Sequence, residues 1–227
     1  MPSSASQAMR TSNQALWDHL IDHPFPAAMA AATLPPTVFR YYISQNLLYL
    51  HEYAKVLALG VAASKDLAMM RWFAADLANI LDTEIATNRE LLQAIEALCP
   101  DGPGPVAART VAAPATVAYT NWLLAQGHSG DPLAVATAIL PCAWSYGEIG
   151  ARWAPGAQPH PVYHGWISFF ASAEYHTMVE GMIGQLDVRY AALNQPALDG
   201  LNGIFATACR LERLFWDDAL ALRTWPN

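Results

Sequence analysis

One segment of the chain places a thiol and a phenol on the same side of a predicted helix. Cys142 and Tyr146 are four residues apart, a spacing that brings two side chains together on a helical face. A thiolate is a good nucleophile, and a phenol can hydrogen-bond to it or to a ligand. A cysteine in an apolar helix is, however, more often a small core residue. The spacing alone leaves both interpretations open.

A second segment sets an amide among aromatic rings. Tyr42, Asn46 and Tyr49 recur at helical spacing between apolar neighbours. An amide between rings suits a flat heterocycle that stacks and hydrogen-bonds at the same time. A tyrosine-rich core face containing one satisfied amide would give the same pattern.

A third segment places a carboxylate beside aromatic residues near the end of the chain. Glu212, Phe215 and Trp216 lie on adjoining turns of the last predicted helix. Glu212 could face a pocket and transfer protons. Its commoner alternative is a surface carboxylate that pairs with a neighbouring arginine.

Other kinds of site find little support in the sequence. Bundles that bind two metal ions use Glu-x-x-His pairs on facing helices, and this chain has no such pair. No glycine-rich phosphate loop or serine nucleophile elbow occurs either. The scattered histidines are interpreted as surface or core residues: His51, His160, His164 and His176. No metal site is expected.

The elements that must position these residues are predicted to be helices. Apolar residues recur three and four positions apart, and few segments alternate as strands do. Helices are predicted at about 13–32, 36–63, 66–98, 104–126, 132–152, 160–171, 173–193 and 196–222. Residues 1–12 are expected to be a flexible tail, and 13–227 one all-α domain. In such a bundle a pocket between helices is the expected site.

Composition narrows the class of protein further. The 227 residues include 12 Lys and Arg against 19 Asp and Glu, a net charge of −7, so nucleic-acid binding is not expected. Apolar residues reach 54%, which favours a large buried area and a homo-oligomer. Three cysteines without paired spacing suit a reducing cytoplasm. The uncharged stretch 110–130 is interrupted by Pro114 and His128 and is interpreted as a buried helix, not a membrane span.

Several segments, taken in order, resemble the TenA (thiaminase II-like) family. The resemblance extends from about Leu16 to Ala221 and rests on the number, order and spacing of the motifs. The matching segments are His23-Pro24-Phe25, Gln45 to Leu50, Ala118-Tyr119-Thr120, Pro141-Cys142-x-Trp144-x-Tyr146-x-Glu148-Ile149-Gly150, Trp166-Ile167 and Glu212-x2-Phe215-Trp216-Asp217.

This resemblance implies a heme-oxygenase-like helical bundle that is usually a homotetramer and needs no cofactor. Such proteins act in thiamin salvage: they hydrolyse 4-amino-5-aminomethyl-2-methylpyrimidine to hydroxymethylpyrimidine and ammonia, and cleave thiamin more slowly. It assigns the nucleophile to Cys142 and the catalytic carboxylate to Glu212. The implied pyrimidine-binding residues are Tyr49, Tyr119, Tyr146 and Phe215, together with the positions of Asn46 and Phe170.

Two of those positions depart from the family. Asn46 stands where the family usually has Asp, and Phe170 where it usually has Tyr. Asn can still donate and accept hydrogen bonds along a pyrimidine edge, but it cannot take a proton. Phe170 lacks a hydroxyl. A protein that binds a pyrimidine with little turnover, or an enzyme of this fold acting on another amine, therefore remains an alternative to the hydrolase.

Overall fold

The computed structural model describes residues 4–99 and 111–226, whose regular structure is entirely helical. The prediction of an all-α chain is therefore confirmed. The α-helices of the described part are α1 Ala5–Ser12, α2 Gln14–Ile21, α3 Pro24–Ala30, α4 Pro36–Ala63, α5 Leu67–Asn79, α6 Ile85–Glu96, α7 Pro114–His128, α8 Pro132–Trp153, α9 Tyr163–Phe170, α10 Ala173–Tyr190 and α11 Gln195–Ala221. A π-helical turn, Ile80–Glu84, joins α5 to α6. None of these helices combines the length and apolarity that crossing a membrane requires.

Most predicted helices have observed counterparts, with differences where turn chemistry intervenes. The predicted helix 13–32 is two helices, because the buried His23 ring accepts the Phe25 amide and so begins α3. The predicted helix 104–126 begins at Pro114, and its first residues, 104–110, lie outside the described part. Residues 5–12 differ from the expected tail, since they form α1 with Ser6 and Met9 buried.

The chain divides into two compact units. Unit one contains the chain up to Thr33 together with Ala136–Arg213, and unit two contains Leu34–Val135 together with the chain from Leu214 onward. Helices α8 and α11 contribute residues to both units. The expectation of one domain over residues 13–227 stays a prediction.

Unit one is built around aromatic residues from its early and late helices. Trp17 of α2 is fully buried and stacks on Phe205 of α11, with ring centroids 5.7 Å apart. Trp144 of α8 meets the Trp17 ring edge-on at 5.3 Å. Large rings of this kind bury the most apolar area per residue, so they account for much of this unit's core.

Unit two is organised around α4, which packs against α5, α6 and α7. Two glycines allow the helices to approach closely. A Cβ added at Gly60 would lie 2.7 Å from the Phe73 ring, and one at Gly127 would lie 2.7 Å from the Leu59 side chain. Helix α4 therefore lies close to α5 at Gly60 and close to α7 at Gly127.

Candidate functional site

In unit one, the nucleophile candidate follows a proline inside α8. Pro141 has no N–H, so the carbonyl four residues earlier loses its helical partner. Hydroxyl groups also donate to two carbonyls just after the proline: Ser145 Oγ to the Cys142 carbonyl at 3.3 Å and Tyr175 Oη to the Ala143 carbonyl at 3.0 Å. The backbone that carries Cys142 is thus held by side chains as well as by the helix.

Tyr146, one turn after Cys142, is buried among rings of α9. Its ring meets Phe170 edge-on at 4.9 Å and Trp166 at 5.6 Å. Phe170 also contacts the Tyr175 ring at 4.9 Å. The structure therefore brings Tyr146 and Phe170 together, as the sequence analysis expected of two residues from one site. The hydroxyl of Tyr175, whose ring packs on Phe170, donates to the Ala143 backbone carbonyl.

Gly150 explains why the motif around Cys142 ends in glycine. A Cβ added there would lie 2.4 Å from the carbonyl carbon of Phe170 and 2.5 Å from the Ala171 nitrogen. Backbone atoms cannot yield as a flexible side chain would. Gly150 therefore sets how closely α8 approaches the end of α9, and with it the contact between Tyr146 and Phe170.

Two other residues of the same motif are structural. Glu148 accepts from the Arg10 guanidinium at 2.9 and 2.7 Å and from the Trp17 indole N–H at 2.8 Å. The Arg10 guanidinium also lies over the rings of Trp17 and Trp144, 5.2 and 5.9 Å from their centroids. These contacts attach α1 and α2 to α8, so Glu148 and Trp144 support the helix on which Cys142 lies.

The three cysteines differ in their surroundings. Cys99 and Cys209 are buried, whereas Cys142 is half-buried. Burial, together with the negative charge of Glu212, raises the pKa of the Cys209 thiol to about 12, which keeps it protonated and unreactive. Among the cysteines, Cys142 alone combines partial exposure with the motif position. Glu212 itself is 2% exposed, which contradicts the alternative of a surface carboxylate.

In unit two, Tyr49 is surrounded by other rings. Its ring centroid lies 5.1 Å from that of Tyr119, 5.6 Å from Tyr53 and 6.0 Å from Phe215. Tyr119 is only 1% exposed. The structure thus brings together three of the aromatic residues that the sequence analysis assigned to pyrimidine binding, and adds Tyr53, which lies one turn after Tyr49 on α4.

Gln45, next to Asn46, fixes the start of α7. Its amide nitrogen donates to the Val111 carbonyl at 3.0 Å, and its oxygen accepts from the Ala113 amide at 2.8 Å and from the Thr116 hydroxyl at 2.7 Å. These bonds satisfy groups that a helix start leaves without intrahelical partners. Gln45 therefore positions the helix that carries Tyr119.

Asn46 is held by an amide from another helix. Its Nδ2 donates to Asn88 Oδ1 of α6 at 2.9 Å, and Asn88 Nδ2 donates to the Glu84 carbonyl at 2.9 Å. Asn88 was not identified from the sequence. It lies 42 positions from Asn46, and no local spacing connects the two residues.

Two carboxyl groups near this amide pair have raised pKa values. Burial raises the pKa of Asp76 to about 6, although a hydrogen bond from Tyr53 opposes the shift. Burial, and then the charge of Asp76, raise the pKa of Glu84 to about 7. Asp76 precedes the π-helical turn and Glu84 is its last residue. Turns of this kind are often found near functional sites. Sequence reasoning missed them because their burial depends on the fold.

Within the described residues, no group of three or more His, Cys, Asp or Glu side chains could hold a metal ion.

The His160 ring has a structural role, since its Nδ1 accepts from the backbone amides of Val162 and Tyr163 at 3.2 and 3.1 Å. That interaction begins α9.

The candidate residues therefore divide between the units. Unit one contains the candidate nucleophile Cys142, the candidate carboxylate Glu212 and the aromatic residues Tyr146 and Phe170. Unit two carries the amide and the remaining aromatic residues: Asn46, Tyr49, Tyr119 and Phe215. Glu212 and Phe215 lie three residues apart on α11.

Solved structures place this helical arrangement in a known fold. A protein from Shewanella denitrificans described as having a heme oxygenase-like fold superimposes with a TM-score of 0.73, covering 96% of this chain and 92% of its own at 14% identity. A TenA family protein from a Silicibacter species, described as a transcription regulator, superimposes with a TM-score of 0.85, covering 96% and 97% at 26% identity. The heme-oxygenase-like fold is thus confirmed.

Residues 10–222 match the TENA/THI-4/PQQC family, and the chain belongs to it. It is 34% identical over 224 residues to an aminopyrimidine aminohydrolase from Halalkalibacterium halodurans, with 93% of each chain covered. It is 35% identical over 216 residues to an aminopyrimidine aminohydrolase from Helicobacter pylori, with 94% of this chain and 97% of that one covered. The resemblance found in the sequence is therefore confirmed.

Proposed function

We propose that this protein is an aminopyrimidine aminohydrolase of the thiaminase II type that acts in thiamin metabolism. The observation that carries the proposal is Cys142, the half-buried cysteine of a chain whose other two are buried. It lies one turn from Tyr146 on α8. Relatives that match almost the full length of the chain bear this activity in their names. The reaction needs no metal or cofactor.

The proposed reaction proceeds through a covalent adduct. The Cys142 thiolate forms a carbon–sulfur bond to an electron-poor ring carbon, and the ring nitrogen receives the electron pair and a proton. When the ring electrons return, the amine leaves the neighbouring methylene as ammonia. Water then adds at that methylene, the ring nitrogen gives up the proton that it received, and the carbon–sulfur bond breaks to release hydroxymethylpyrimidine and the thiolate. Glu212 gives the proton that the leaving amine takes and recovers one from the water.

Binding is assigned to the remaining candidates. Tyr49 and Tyr119 offer aromatic faces for stacking on the pyrimidine, and Phe215 contributes an apolar surface. Tyr146 hydrogen-bonds to the ring or to the thiol, while Asn46 hydrogen-bonds to the pyrimidine edge. The ring of Phe170, already packed on Tyr146, supports that tyrosine without adding a hydrogen bond.

We propose in addition that the protein works as a homotetramer in the cytoplasm. Unit one exposes large apolar side chains on α9 and α10, with Phe169 60%, Met178 48% and Val188 75% exposed. Surfaces of this kind are often covered by a second subunit. Light scattering on the purified protein measures the mass of the assembly.

Ammonia release from 4-amino-5-aminomethyl-2-methylpyrimidine tests the proposed activity. Cys142→Ala should lower kcat by about 10³-fold or more, because the adduct can no longer form. Cys99→Ala, which removes a buried thiol of unit two, should leave kcat within about twofold of wild type. An iodoacetamide adduct on Cys142 that hydroxymethylpyrimidine prevents from forming would add direct support. Failure of the wild-type protein to release ammonia would overturn the proposal.

A second candidate function is pyrimidine binding without efficient turnover. It is favoured by Asn46, whose neutral amide cannot take a proton or carry the charge of a carboxylate, and by the missing hydroxyl at Phe170. Calorimetry with hydroxymethylpyrimidine and thiamin distinguishes the two candidates. Tight binding with no ammonia release supports the second candidate, whereas catalytic ammonia release supports the first.

A further inference from the structure

Three groups in unit two form a directed chain of hydrogen bonds. Asn46 Nδ2 donates to Asn88 Oδ1 at 2.9 Å, and Asn88 Nδ2 donates to the Glu84 backbone carbonyl at 2.9 Å. Asn88 is 7% exposed and Asn46 is half-buried. The chain therefore begins at the Glu84 carbonyl, passes through the buried Asn88 and ends at a residue that solvent or a ligand can reach.

The chemistry of the three groups fixes which way each amide points. A backbone carbonyl only accepts hydrogen bonds, so Asn88 must turn its NH2 group toward Glu84. Its oxygen, which also only accepts, then faces Asn46. Asn46 must therefore donate to that oxygen with its NH2 group, so its own oxygen is directed away from Asn88. Reversing either amide would set two acceptors against each other.

The oxygen of Asn46 is thereby the acceptor left available to a ligand. Within residues 4–99 and 111–226 no side chain or backbone N–H donates to it. One N–H of the Asn46 amide is occupied by Asn88. An oxygen held in this way accepts from an N–H donor and is neutral.

We propose that Asn88 is a positioning residue that determines specificity by fixing the orientation of the Asn46 amide. The fixed oxygen of Asn46 selects a neutral pyrimidine that carries an exocyclic amino group. This inference rests on the proposed function, since it takes Asn46 as a pyrimidine contact. It assigns to Asn88 a role that acts through Asn46, without any contact between Asn88 and the substrate.

The same chain of bonds explains why an aspartate at position 46 does not suit this protein. A carboxylate there would place an oxygen about where the Asn46 nitrogen is, 2.9 Å from Asn88 Oδ1. Asn88 could relieve that repulsion only by turning its oxygen toward the Glu84 carbonyl. Asn46 and Asn88 are therefore matched, and the change of position 46 alone to Asp should not strengthen binding.

Calorimetry with two ligands tests the proposal: hydroxymethylpyrimidine with its 4-amino group, and the same molecule with hydrogen in place of that group. Wild type should prefer the amino compound by about tenfold, the order expected for one well-oriented hydrogen bond. Asn88→Ala should reduce this preference to about twofold, because the Asn46 amide is then free to turn. Asn121→Ala, an exposed asparagine of α7, is the matched control and should keep the tenfold preference.

The ratio of affinities separates positioning from a general structural role. A merely structural Asn88 would weaken both ligands equally, and an unchanged preference in Asn88→Ala would overturn the proposal. Asn46→Asp should bind the amino compound more weakly than wild type, and Asn46→Asp with Asn88→Ala should recover part of that loss. Tighter binding by Asn46→Asp alone would also overturn it.

These outcomes are distinct from failure of the proposed function. Ammonia release by wild type is measured separately, so a wild type that releases no ammonia but prefers the amino compound, with that preference lost in Asn88→Ala, would contradict the hydrolase and support the role of Asn88. A wild type that releases ammonia but shows no preference for the amino group would overturn the role of Asn88 alone.

Discussion

The two units hold their candidate residues by different kinds of contact. In unit one, rings and close-packed backbone determine the position of Tyr146. The centroid of its ring lies 4.9 Å from that of Phe170, and the absence of a side chain at Gly150 allows the end of α9 to approach α8. In unit two, side-chain amides determine the positions of Asn46 and of the start of α7. Gln45 bonds to the start of α7 and Asn88 bonds to Asn46.

The difference determines which changes each unit should tolerate. A packed contact depends on volume, so an added methyl group is harmful where no atom can move. A hydrogen bond depends on the placement of donors and acceptors, so a substitution of equal volume is harmful if it removes them. The contact of Tyr146 with Phe170 should thus respond to size, and the positions of Asn46 and of the start of α7 should respond to polarity.

The largest effect is expected from Gly150→Ala in unit one. The new Cβ would lie 2.4 Å from the Phe170 carbonyl carbon, so α8 and α9 must separate. We expect a loss of about 3 kcal/mol in the free energy of unfolding, at or above the usual range for overpacking. Urea unfolding followed by circular dichroism measures it.

Gly147→Ala on the same helix is the matched control. Its Cβ would lie 3.5 Å from the Tyr175 ring, an ordinary contact distance. Alanine favours a helix interior over glycine by about 0.5–1 kcal/mol, so this variant should be as stable as wild type or slightly more stable. Equal losses in the two variants would show that the close approach at Gly150 is not what distinguishes it.

A smaller effect is expected in unit two from Gln45→Met. Methionine nearly preserves the volume but leaves the Ala113 amide, the Val111 carbonyl and the Thr116 hydroxyl without the partner that Gln45 provides. We expect a loss of about 2 kcal/mol, since buried polar groups without partners cost about 1–3 kcal/mol. Urea unfolding measures the change.

Gln93→Met on α6 controls for the same substitution at an exposed position and should change stability by less than about 0.5 kcal/mol. If Gln45→Met were equally mild, the contrast between Tyr146, positioned by packing, and the start of α7, positioned by the Gln45 amide, would fail, because both would then depend mainly on volume.

Much of the fold could be predicted from the sequence because its signals are local. The three- and four-residue spacing predicted α4 at Pro36–Ala63 as observed, and Asp131 and Pro132 marked the start of α8. Proline and glycine marked most of the other breaks. The tail expected at residues 1–12 differs because the burial of Met9 depends on residues far along the chain.

The candidate site was predictable only in part for the same reason. Spacing put Cys142 with Tyr146 and Glu212 beside aromatic residues, and the family resemblance supplied Tyr119 and the catalytic role of Glu212. The partners that support these residues come from distant segments. Asn88 lies 42 positions from Asn46 and Arg10 lies 138 positions from Glu148, so no local pattern could reveal either contact.

The last effect concerns pH, and it too distinguishes the units. In unit two the pKa of Glu84 rises from its usual 4.5 to about 7, first through burial and then through the charge of Asp76. An acid whose pKa is higher in the folded than in the unfolded state stabilises the fold most at low pH. Between about pH 4.5 and 7 the unfolded chain releases its proton while the folded chain keeps it, so stability should fall as pH rises, by at most about 1.4 kcal/mol per pH unit for one proton.

Glu84→Gln removes this group and should flatten the fall in unfolding free energy between pH 5 and 7. Asp76, whose pKa is raised to about 6, leaves a residual slope at the lower end of that range. Glu90→Gln, an exposed residue of α6, should retain the wild-type profile. Urea unfolding at half-unit pH steps measures the three profiles. Parallel curves for wild type and Glu84→Gln would mean that Glu84 ionises alike in the folded and unfolded chain, and the pH response of unit two would then rest on Asp76.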